Sequence, residues 1–387
     1  MPHSHFHYLN HSLKRELSEL YVSTLIRGFA IGMLALFTPL YFFKEGWTVQ
    51  HIVLWFALNY TIFFFLAPLG AKATVRFGHE KAMALSMPIA LVYYAMLFFL
   101  PTNPNFFWWS AVILGFHKSI FWVAYHSDFA KFGNKKKIGE EIGILGVMLG
   151  VIGVLSPAVG GFVVTMFGFQ TLYLLGGLLM VASLLPMLIT DEHWKPGKIN
   201  LLAPYKMIVN KKFRSDVIGH IATGEDIVAQ AIWPIWLFMI IPSYKDVGIL
   251  TTITILIAFA IMLWIGKLSN HKKKSRLIKR SAPAVSFSWI ARMFAFTPMG
   301  IFFTDAIYKI SRKSLAIPYA ALVYTRTSKK KIIEYTTFWM CALSIGKLIA
   351  ALLIYIILTY TDNLVYTFLV SALLSLLFLV WRDTARA

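Results

Sequence analysis

The stretch "GHIATGEDIVAQAIWPIWLFMII", residues 219–241, is long and apolar enough for a membrane-spanning helix, yet it carries two adjacent acids, Glu225 and Asp226. Crossing a hydrocarbon layer roughly 30 Å thick takes about 20 mostly apolar residues. Ionised carboxylates at that depth are costly and are seldom left unpaired. The two acids therefore need partners within the protein or a part in its function.

Composition places the whole chain in the same class. Of its 387 residues, 58% are apolar and only 14% are charged, which is typical of a polytopic membrane protein with no room for a soluble domain. The net charge of +20 does not indicate nucleic-acid binding, because the basic residues cluster in loops on one side of the predicted membrane. The single cysteine, Cys341, excludes an internal disulfide.

Apolar runs between charged or Pro- and Gly-rich breaks predict twelve transmembrane helices. The predicted spans are residues 20–43, 51–71, 82–100, 106–127, 142–166, 169–189, 216–241, 247–267, 282–299, 303–324, 335–359 and 364–381. The break between the ninth and tenth spans rests on Pro298 and Gly300, since no charged loop separates them. The sequence therefore predicts an all-helical membrane protein.

Loop charges predict the orientation. Basic clusters at 135–137, 272–280 and 329–331 fall on one side, whereas Lys44 and Lys245 are the only basic residues in the opposite loops. This bias places both termini in the cytoplasm and the protein in the plasma (inner) membrane. We expect a His-rich tail at 1–19, a six-helix bundle at 20–190, a linker with a short amphipathic helix at 191–215, a second bundle at 216–381 and a tail at 382–387.

Two loops carry related motifs. The first, "GAKATVRFGHEK" at 70–81, contains Arg76, Gly78 and Lys81; its echo, "GKLSNHKKKSR" at 266–276, keeps Gly266 and has Asn270 at the position of an acid. They resemble the Gly-x-x-x-Asp-Arg-x-Gly-Arg-Lys loops of the major facilitator superfamily, although Val75 replaces the first acid. The resemblance covers essentially the whole chain and implies two pseudo-symmetric six-helix bundles, with these five residues in gating loops.

A further likeness is "GVLSPAVGG", residues 153–161, which is similar to a Gly-Pro-x-x-Gly-Gly motif of antiporters in that family. The simpler interpretation is a kinked helix whose small residues pack closely against a neighbour. The motif therefore gives no direction of transport.

The resemblance implies that the first, fourth, seventh and tenth spans line a central cavity, and charges at membrane depth concentrate there. They are Arg27, His117, Lys118, Glu225, Asp226, Asp305, Lys309, Arg312 and Lys313. Two lie elsewhere: Lys347 in the eleventh span, which flanks the cavity in the family, and Arg292 in the ninth, for which the sequence offers no account. This distribution is what a water-filled cavity predicts.

Helical spacing selects among these residues. Gly219, Thr223, Asp226, Gln230 and Trp233 form one polar stripe, so Asp226 faces the cavity and Glu225, about 100° away around the helix, faces protein. Lys118 aligns with Trp122, and Asp305 lies four residues before Lys309 and can pair with it. The predicted substrate-binding residues are Arg27, Lys118, Trp122, Asp226, Gln230, Lys309, Arg312 and Lys347, and the predicted proton-coupling residues are Asp226, Glu225 and Asp305.

Cations outnumber acids in this set, which favours a small anionic substrate carried by a secondary active transporter, with a desolvated carboxylate taking up and releasing the coupling proton. A lipid or drug exporter or flippase of the same fold is an alternative, and the charges could instead form purely structural salt bridges. From other classes come a membrane-embedded lipid-modifying enzyme built on His126 and Asp128, and a sensor that binds without translocating.

The expected partners are a small molecule and the lipid bilayer, with no cofactor, no metal and no nucleic acid; a monomer is sufficient. No phosphate-binding Gly-x-x-x-x-Gly-Lys-Ser/Thr loop occurs in the sequence, so ATP-driven transport would need another subunit. The N-terminal histidines, His3, His5, His7 and His11, could bind a transition metal, but we expect a disordered, solvated tail.

Overall fold

The protein is all-helical in the part that the structure describes. The structure is a computed structural model that describes residues 3–132, 138–189, 194–266, 274–327 and 331–383. The first six spans are formed by His3–Ala35 continued by Phe37–Lys44, Val49–Phe77, His79–Phe98, Phe106–Phe132 and Ile138–Ala182. The last of these contains the fifth and sixth spans, which meet at Gly168; its φ of 84° favours glycine.

The second half, spans seven to twelve, follows the same order. It comprises Arg214–Ala222, Thr223–Glu225, Asp226–Ala231 and Trp233–Ile240 in the seventh span, then Tyr244–Gly266, Lys274–Arg292, Pro298–Thr327, Ile332–Tyr360, and Leu364–Thr367 with Phe368–Val380. Between the halves lies a short linker helix, Ala203–Val209. The predicted twelve-span, all-helical architecture is confirmed.

Helix ends differ from the hydropathy limits in two places. The ninth helix runs from Lys274 to Arg292 rather than over 282–299, and Pro298 opens the tenth helix. The first helix begins at His3, so the tail that composition predicted to be disordered continues the helix of the first span. Hydropathy detects the lipid-buried part of a helix, whereas the helical backbone continues beyond it because its own hydrogen bonds are satisfied in water as well as in lipid.

Seven of the described helices are long and apolar enough to cross a membrane, and one of the seven joins the fifth and sixth spans. The seventh span does not qualify because it is divided into segments of nine residues or fewer. The tenth contains Asp305, Lys309, Arg312 and Lys313, and the last apolar helix, Leu364–Val380, is shorter. The chain is an integral membrane protein, and its divided seventh span and its continuous but charged tenth span carry most of the acids and bases at membrane depth.

Glycines let helices of the two halves touch. A Cβ atom added at Gly161 in the fifth span would lie 2.5 Å from the carbonyl oxygen of Tyr244, and one added at Gly248 in the eighth would lie 2.5 Å from that of Pro157. Real Cβ contacts are not that short, so both positions exclude a side chain. The segment 153–161 thus has the packing role that its small residues indicate.

The second span packs against the fourth and the eleventh. Gly70, which the sequence placed in a loop, lies inside the helix Val49–Phe77, where an added Cβ would overlap the backbone of Ser119. That expectation was wrong because the helix continues through the charged residues that were taken as its end. At the other end of the span, the Gln50 side chain donates a hydrogen bond of 3.2 Å to the carbonyl of Leu358.

Candidate functional site

The seventh span is interrupted beside its two acids. Thr223–Glu225 forms a turn of 3₁₀-helix, and the next segment ends before Pro234, which lacks a backbone N–H. The carbonyl of Glu225 accepts a hydrogen bond from the Ser371 hydroxyl, which satisfies a backbone group at the break. At the far end of the predicted polar stripe, the Trp233 indole donates a hydrogen bond to the buried Asp305.

Two glycines set the position of Asp226. A Cβ added at Gly346 in the eleventh span would lie 2.5 Å from the carbonyl oxygen of Ile221, and one added at Gly224 would overlap the backbone of Gly346. The seventh and eleventh helices consequently touch backbone to backbone. This contact places the Asp226 carboxylate in an ion pair with the ammonium of Lys347.

Asp226 is the most accessible of the three membrane-depth acids. Its side chain is 26% exposed, against 1% for Glu225 and 1% for Asp305. Besides Lys347, its carboxylate lies 3.8 Å from the Nη2 atom of Arg312. Asp226 is therefore the one of these three acids that solvent reaches in part.

Glu225 faces protein, as its helical position indicates. Its carboxylate forms an ion pair with Nε of Arg312. The indole N–H of Trp289 donates to Oε2 over 3.0 Å, and the hydroxyl of Tyr308 donates to the same oxygen over 3.4 Å. With these donors around it, the buried carboxylate is compensated within the second half.

Asp305 lies in a second buried ion cluster. Its carboxylate contacts Nη2 of Arg292 at 2.6 Å and Nζ of Lys309 at 2.5 Å. The Trp233 indole and the Thr254 hydroxyl each donate a hydrogen bond to it, at 3.0 and 2.7 Å. The predicted pair of Asp305 with Lys309 is formed, and it belongs to a network that ties the seventh, eighth, ninth and tenth spans together.

Arg292, which sequence reasoning left unexplained, completes this cluster. Its guanidinium carbon lies 3.8 Å from the ring centre of Trp233, 4.4 Å from that of Trp289 and 4.0 Å from that of Tyr308. Such stacking stabilises a desolvated cation. A signal was present in the sequence: Arg292 and Asp305 lie six residues before and seven after Pro298, which puts them at similar depths in adjacent antiparallel helices.

The cations of the first half have a different environment. Arg27 is 5% exposed, and its guanidinium carbon lies 3.1 Å from the ring centre of Phe121 and 5.1 Å from that of Trp122. Its Nε and Nη1 atoms are buried, and neither has a hydrogen-bond partner among the described residues. Lys118 donates to the Asn59 side-chain oxygen at 2.8 Å. No ion pair joins either cation to an acid in the described part of the chain.

Tyr60 of the second span brings predicted residues of both halves together. Its ring centre lies 4.7 Å from Nζ of Lys118 and 5.7 Å from Nζ of Lys347. Its hydroxyl donates to the side-chain oxygen of Gln230 over 3.3 Å. Sequence reasoning missed Tyr60, because one aromatic residue among the many in a span gives no signal of its own. The ring marks the place where the two halves meet near Asp226.

The halves also meet toward the predicted cytoplasmic side. Nδ1 of His126 lies 2.5 Å from the hydroxyl oxygen of Tyr324, and its ring stacks near Trp339, with the centres 4.5 Å apart. Asp128, which the enzyme alternative would combine with His126, instead lies 3.7 Å from Nδ1 of His79. His126 therefore serves a contact between the fourth, tenth and eleventh spans.

The predicted gating loop turns tightly at Gly78, whose φ of 94° requires glycine. Arg76 and Lys81 on either side of it are exposed. Gly266 is the last residue of the eighth helix, and Asn270 lies outside the described residues. A gating role for these residues stays a prediction.

The linker is attached to this loop. The indole N–H of Trp194 donates to the carbonyl of Val75 over 2.8 Å, and its ring packs against His79, with the centres 4.8 Å apart. Val75 stands where the family motif has an acid, so a backbone carbonyl rather than a side chain makes the contact here. The linker is thereby held against the first half.

Among the described residues, no three His, Cys, Asp or Glu side chains are arranged to hold a metal ion. The side chains of residues 1–17, including the N-terminal histidines, lie outside the described residues. The described cavity residues offer ammonium, guanidinium, carboxylate and aromatic groups. Such a set suits the binding of a charged organic solute.

Comparison with solved structures finds proteins of the same fold. The human organic anion transporter MFSD10 (TETRAN) aligns over 95% of this chain and 99% of its own, with a TM-score of 0.69 and 14% identity. A variant of the E. coli fucose:proton symporter FucP aligns over 97% of this chain and 99% of its own, with a TM-score of 0.70 and 10% identity. The POT family transporter PepTSo aligns over 95% of this chain and 96% of its own, with a TM-score of 0.71 and 10% identity. At these identities the likeness concerns the fold alone.

Comparison with curated protein sequences gives no match. The sequence profile of the Major Facilitator Superfamily matches residues 20–311, most of the chain. Together with the twelve spans, this match makes the protein a transporter rather than an enzyme. The chain belongs to the Major Facilitator Superfamily.

Proposed function

We propose that the protein moves a small anionic solute across the plasma (inner) membrane by alternating access and couples this movement to protons, with both termini cytoplasmic. The observation that carries the proposal is the difference in charge compensation around Tyr60. Each membrane-depth acid of the second half, Glu225, Asp226 and Asp305, has a cationic partner. On the first-half side, the cations Arg27 and Lys118 have no acidic partner among the described residues.

An anion between the halves would supply the missing charge. Lys118 and Lys347 both lie near Tyr60, with their Nζ atoms 4.7 and 5.7 Å from its ring centre. A cavity with surplus positive charge and low-dielectric walls attracts anions. Lys309 and Arg312 are engaged by buried acids, so we assign them to the support of the site rather than to direct substrate contact.

Asp226 is the proposed proton acceptor. It is the one partly exposed acid of the three, and its partner Lys347 lies next to the Tyr60 ring. Protonation of Asp226 would release Lys347 to interact with the anion, which links proton uptake to substrate binding. Glu225 and Asp305 are each held by several donors in the protein interior, which argues against a proton cycle at either residue.

Substrate binding is tested with the purified protein by measuring its melting temperature in the presence of anionic, cationic and neutral metabolites. A ligand at 100 times its Kd stabilises the native state by about 2.7 kcal/mol. We expect shifts confined to anions, reduced in Lys118→Ala and retained in Lys313→Ala. Shifts produced only by cations or neutral sugars would contradict the anionic site.

Proton coupling is tested in proteoliposomes with the anion found by that screen. Asp226→Asn should reduce uptake driven by a proton gradient by about tenfold or more, because the side chain no longer titrates, while exchange of labelled for unlabelled substrate continues. Proton-driven uptake at the wild-type rate in this variant would remove Asp226 from the coupling step. Lys313→Gln is the matched control, since it alters charge in a neighbouring span without touching the Asp226 pair.

A further inference from the structure

The two cations of the first half that lack an acid partner among the described residues both contact the fourth span: Lys118 belongs to it, and Arg27 packs against its rings from the first span. Lys118 lies four residues before Trp122 on the fourth span, and such positions face the same side about 5–6 Å apart. Arg27 lies over Phe121 and Trp122, at 3.1 and 5.1 Å from their ring centres. The guanidinium is therefore packed on the turn of the fourth span that follows Lys118.

Both cations are held by neutral groups. Lys118 contacts the amide oxygen of Asn59 at 2.8 Å and the face of Tyr60. Arg27 has ring contacts, and its buried Nε and Nη1 atoms have no hydrogen-bond partner in the described ranges. Buried donors are costly when their hydrogen bonds are not made. The arrangement has the property of a site whose acceptor comes from outside the chain.

We infer that Arg27 and Lys118 together bind one organic anion that carries two carboxylates. The inference rests on the proposed anion transport and specifies its substrate class. A guanidinium presents planar donors that match one carboxylate in a bidentate way, whereas an ammonium acts as a point charge for the second.

The neighbouring groups fit the same class of ligand. Trp122, whose ring centre lies 5.1 Å from the Arg27 guanidinium carbon, is partly exposed and offers apolar surface to the carbon chain. The next cation, Lys347, is already neutralised by Asp226. Two uncompensated charges thus remain on the first-half side, and a dicarboxylate would neutralise both.

The test measures binding to the purified full-length protein by calorimetry with three probes: succinate, butyrate and glycerol 3-phosphate. Succinate and butyrate have the same number of carbons but differ by one carboxylate, and glycerol 3-phosphate concentrates its charge on one group. If both cations bind the ligand, the Kd of succinate should be about tenfold or more lower than the Kd of butyrate or of glycerol 3-phosphate.

Charge-removing variants locate the two points. Arg27→Gln and Lys118→Gln should each weaken succinate binding by about tenfold or more and bring it close to that of butyrate. Lys313→Gln removes one positive charge from the tenth span and should leave succinate binding unchanged. An equal loss in all three variants would show a general electrostatic effect and overturn the inference.

The wild-type comparison does not depend on how the variants fold. Equal binding of succinate and butyrate, or tighter binding of glycerol 3-phosphate, would overturn the dicarboxylate inference and leave anion transport standing. Failure of all anions to bind, in a protein that binds cations or sugars, would overturn both proposals.

Discussion

The two halves of the molecule treat buried charge in opposite ways. In the second half, Arg292 stacks on aromatic rings and also pairs with Asp305 at 2.6 Å. In the first half, Arg27 stacks on Phe121 in a similar way but has no acid partner among the described residues. An arginine in similar aromatic surroundings is thus neutralised by an acid in the second half and is left without an acid partner in the first.

This difference separates structure from function within one set of charges. A buried acid with several donors contributes to the packing of its own bundle and costs stability when one partner is removed. A buried cation held by rings and amides keeps binding capacity for a ligand. The structural salt-bridge alternative therefore describes Glu225 and Asp305, while the transport proposal rests on Arg27, Lys118 and Asp226.

The largest loss of stability is expected from removing the acid of the second-half ion cluster, Asp305, which pairs with Arg292 and Lys309. Asp305→Asn leaves Arg292 and Lys309 close together without a counter-charge, and loss of one partner of a buried ion pair typically costs about 3–5 kcal/mol. Thermal or denaturant unfolding of the purified protein measures the loss. The double variant Asp305→Asn, Arg292→Met should recover part of it, since the uncompensated guanidinium is removed.

If Asp305→Asn unfolded at the same temperature as the wild type, the second-half cluster would not be the stabilising element described here. The claim that the paired charges of the second half stabilise the fold would then be wrong. A folded variant without transport would instead assign Asp305 to the cavity.

An intermediate effect is expected at the contact between the seventh and eleventh helices. Gly346→Ala places a Cβ 2.5 Å from the carbonyl oxygen of Ile221, and overpacking of this kind costs about 1–3 kcal/mol. The displacement also separates Asp226 from Lys347, so proton-driven uptake should fall along with the melting temperature.

Gly153→Ala is the matched control for this change. A Cβ added at Gly153 meets no atom within 4 Å, and alanine is preferred over glycine inside a helix by up to about 1 kcal/mol. Its melting temperature should be equal to or above that of the wild type. A similar loss in both glycine variants would mean that the backbone contact near Asp226 has no special role.

The smallest effect on stability is expected at Arg27, the buried first-half arginine that has no acid partner among the described residues. Arg27→Met removes a buried cation that has no acid partner, so the lost stacking is offset by relief of desolvation and the free energy of unfolding should stay within about 1 kcal/mol of the wild type. The same change at Arg292 should cost more, because Asp305 loses a partner. Equal losses at both arginines would erase the distinction between the two halves.

The number of transmembrane spans was predictable from the sequence. Span positions depend on local hydropathy, which a run of apolar residues reveals without knowledge of its neighbours. The pair of Asp305 with Lys309 was also accessible, because both residues lie on one helix at a fixed spacing. Contacts within one element follow from its periodicity.

Contacts between elements did not follow in the same way. The partners of Asp226 and Glu225 depend on how the eleventh and tenth helices pack against a seventh helix whose register shifts in Thr223–Glu225. A constant 100° per residue carries Trp233 onto the Asp226 face, whereas its indole donates a hydrogen bond to the buried Asp305. Residue spacing within one span cannot predict a helix break at which the freed carbonyl accepts a hydrogen bond from a hydroxyl of another span.

The glycine contact between Gly224 and Gly346 limits how the family of sequences around this protein can vary. Neither position accepts a side chain without displacing the facing backbone, whereas Asp226 and Lys347 beside them are under no such steric restriction and can exchange their charges as a pair. A reversed pair, Asp226→Lys with Lys347→Asp, would keep both glycines and preserve the fold. Homologues that retain both glycines but differ at the two charged positions would therefore be the natural place to look for transporters of this shape that use a different coupling chemistry.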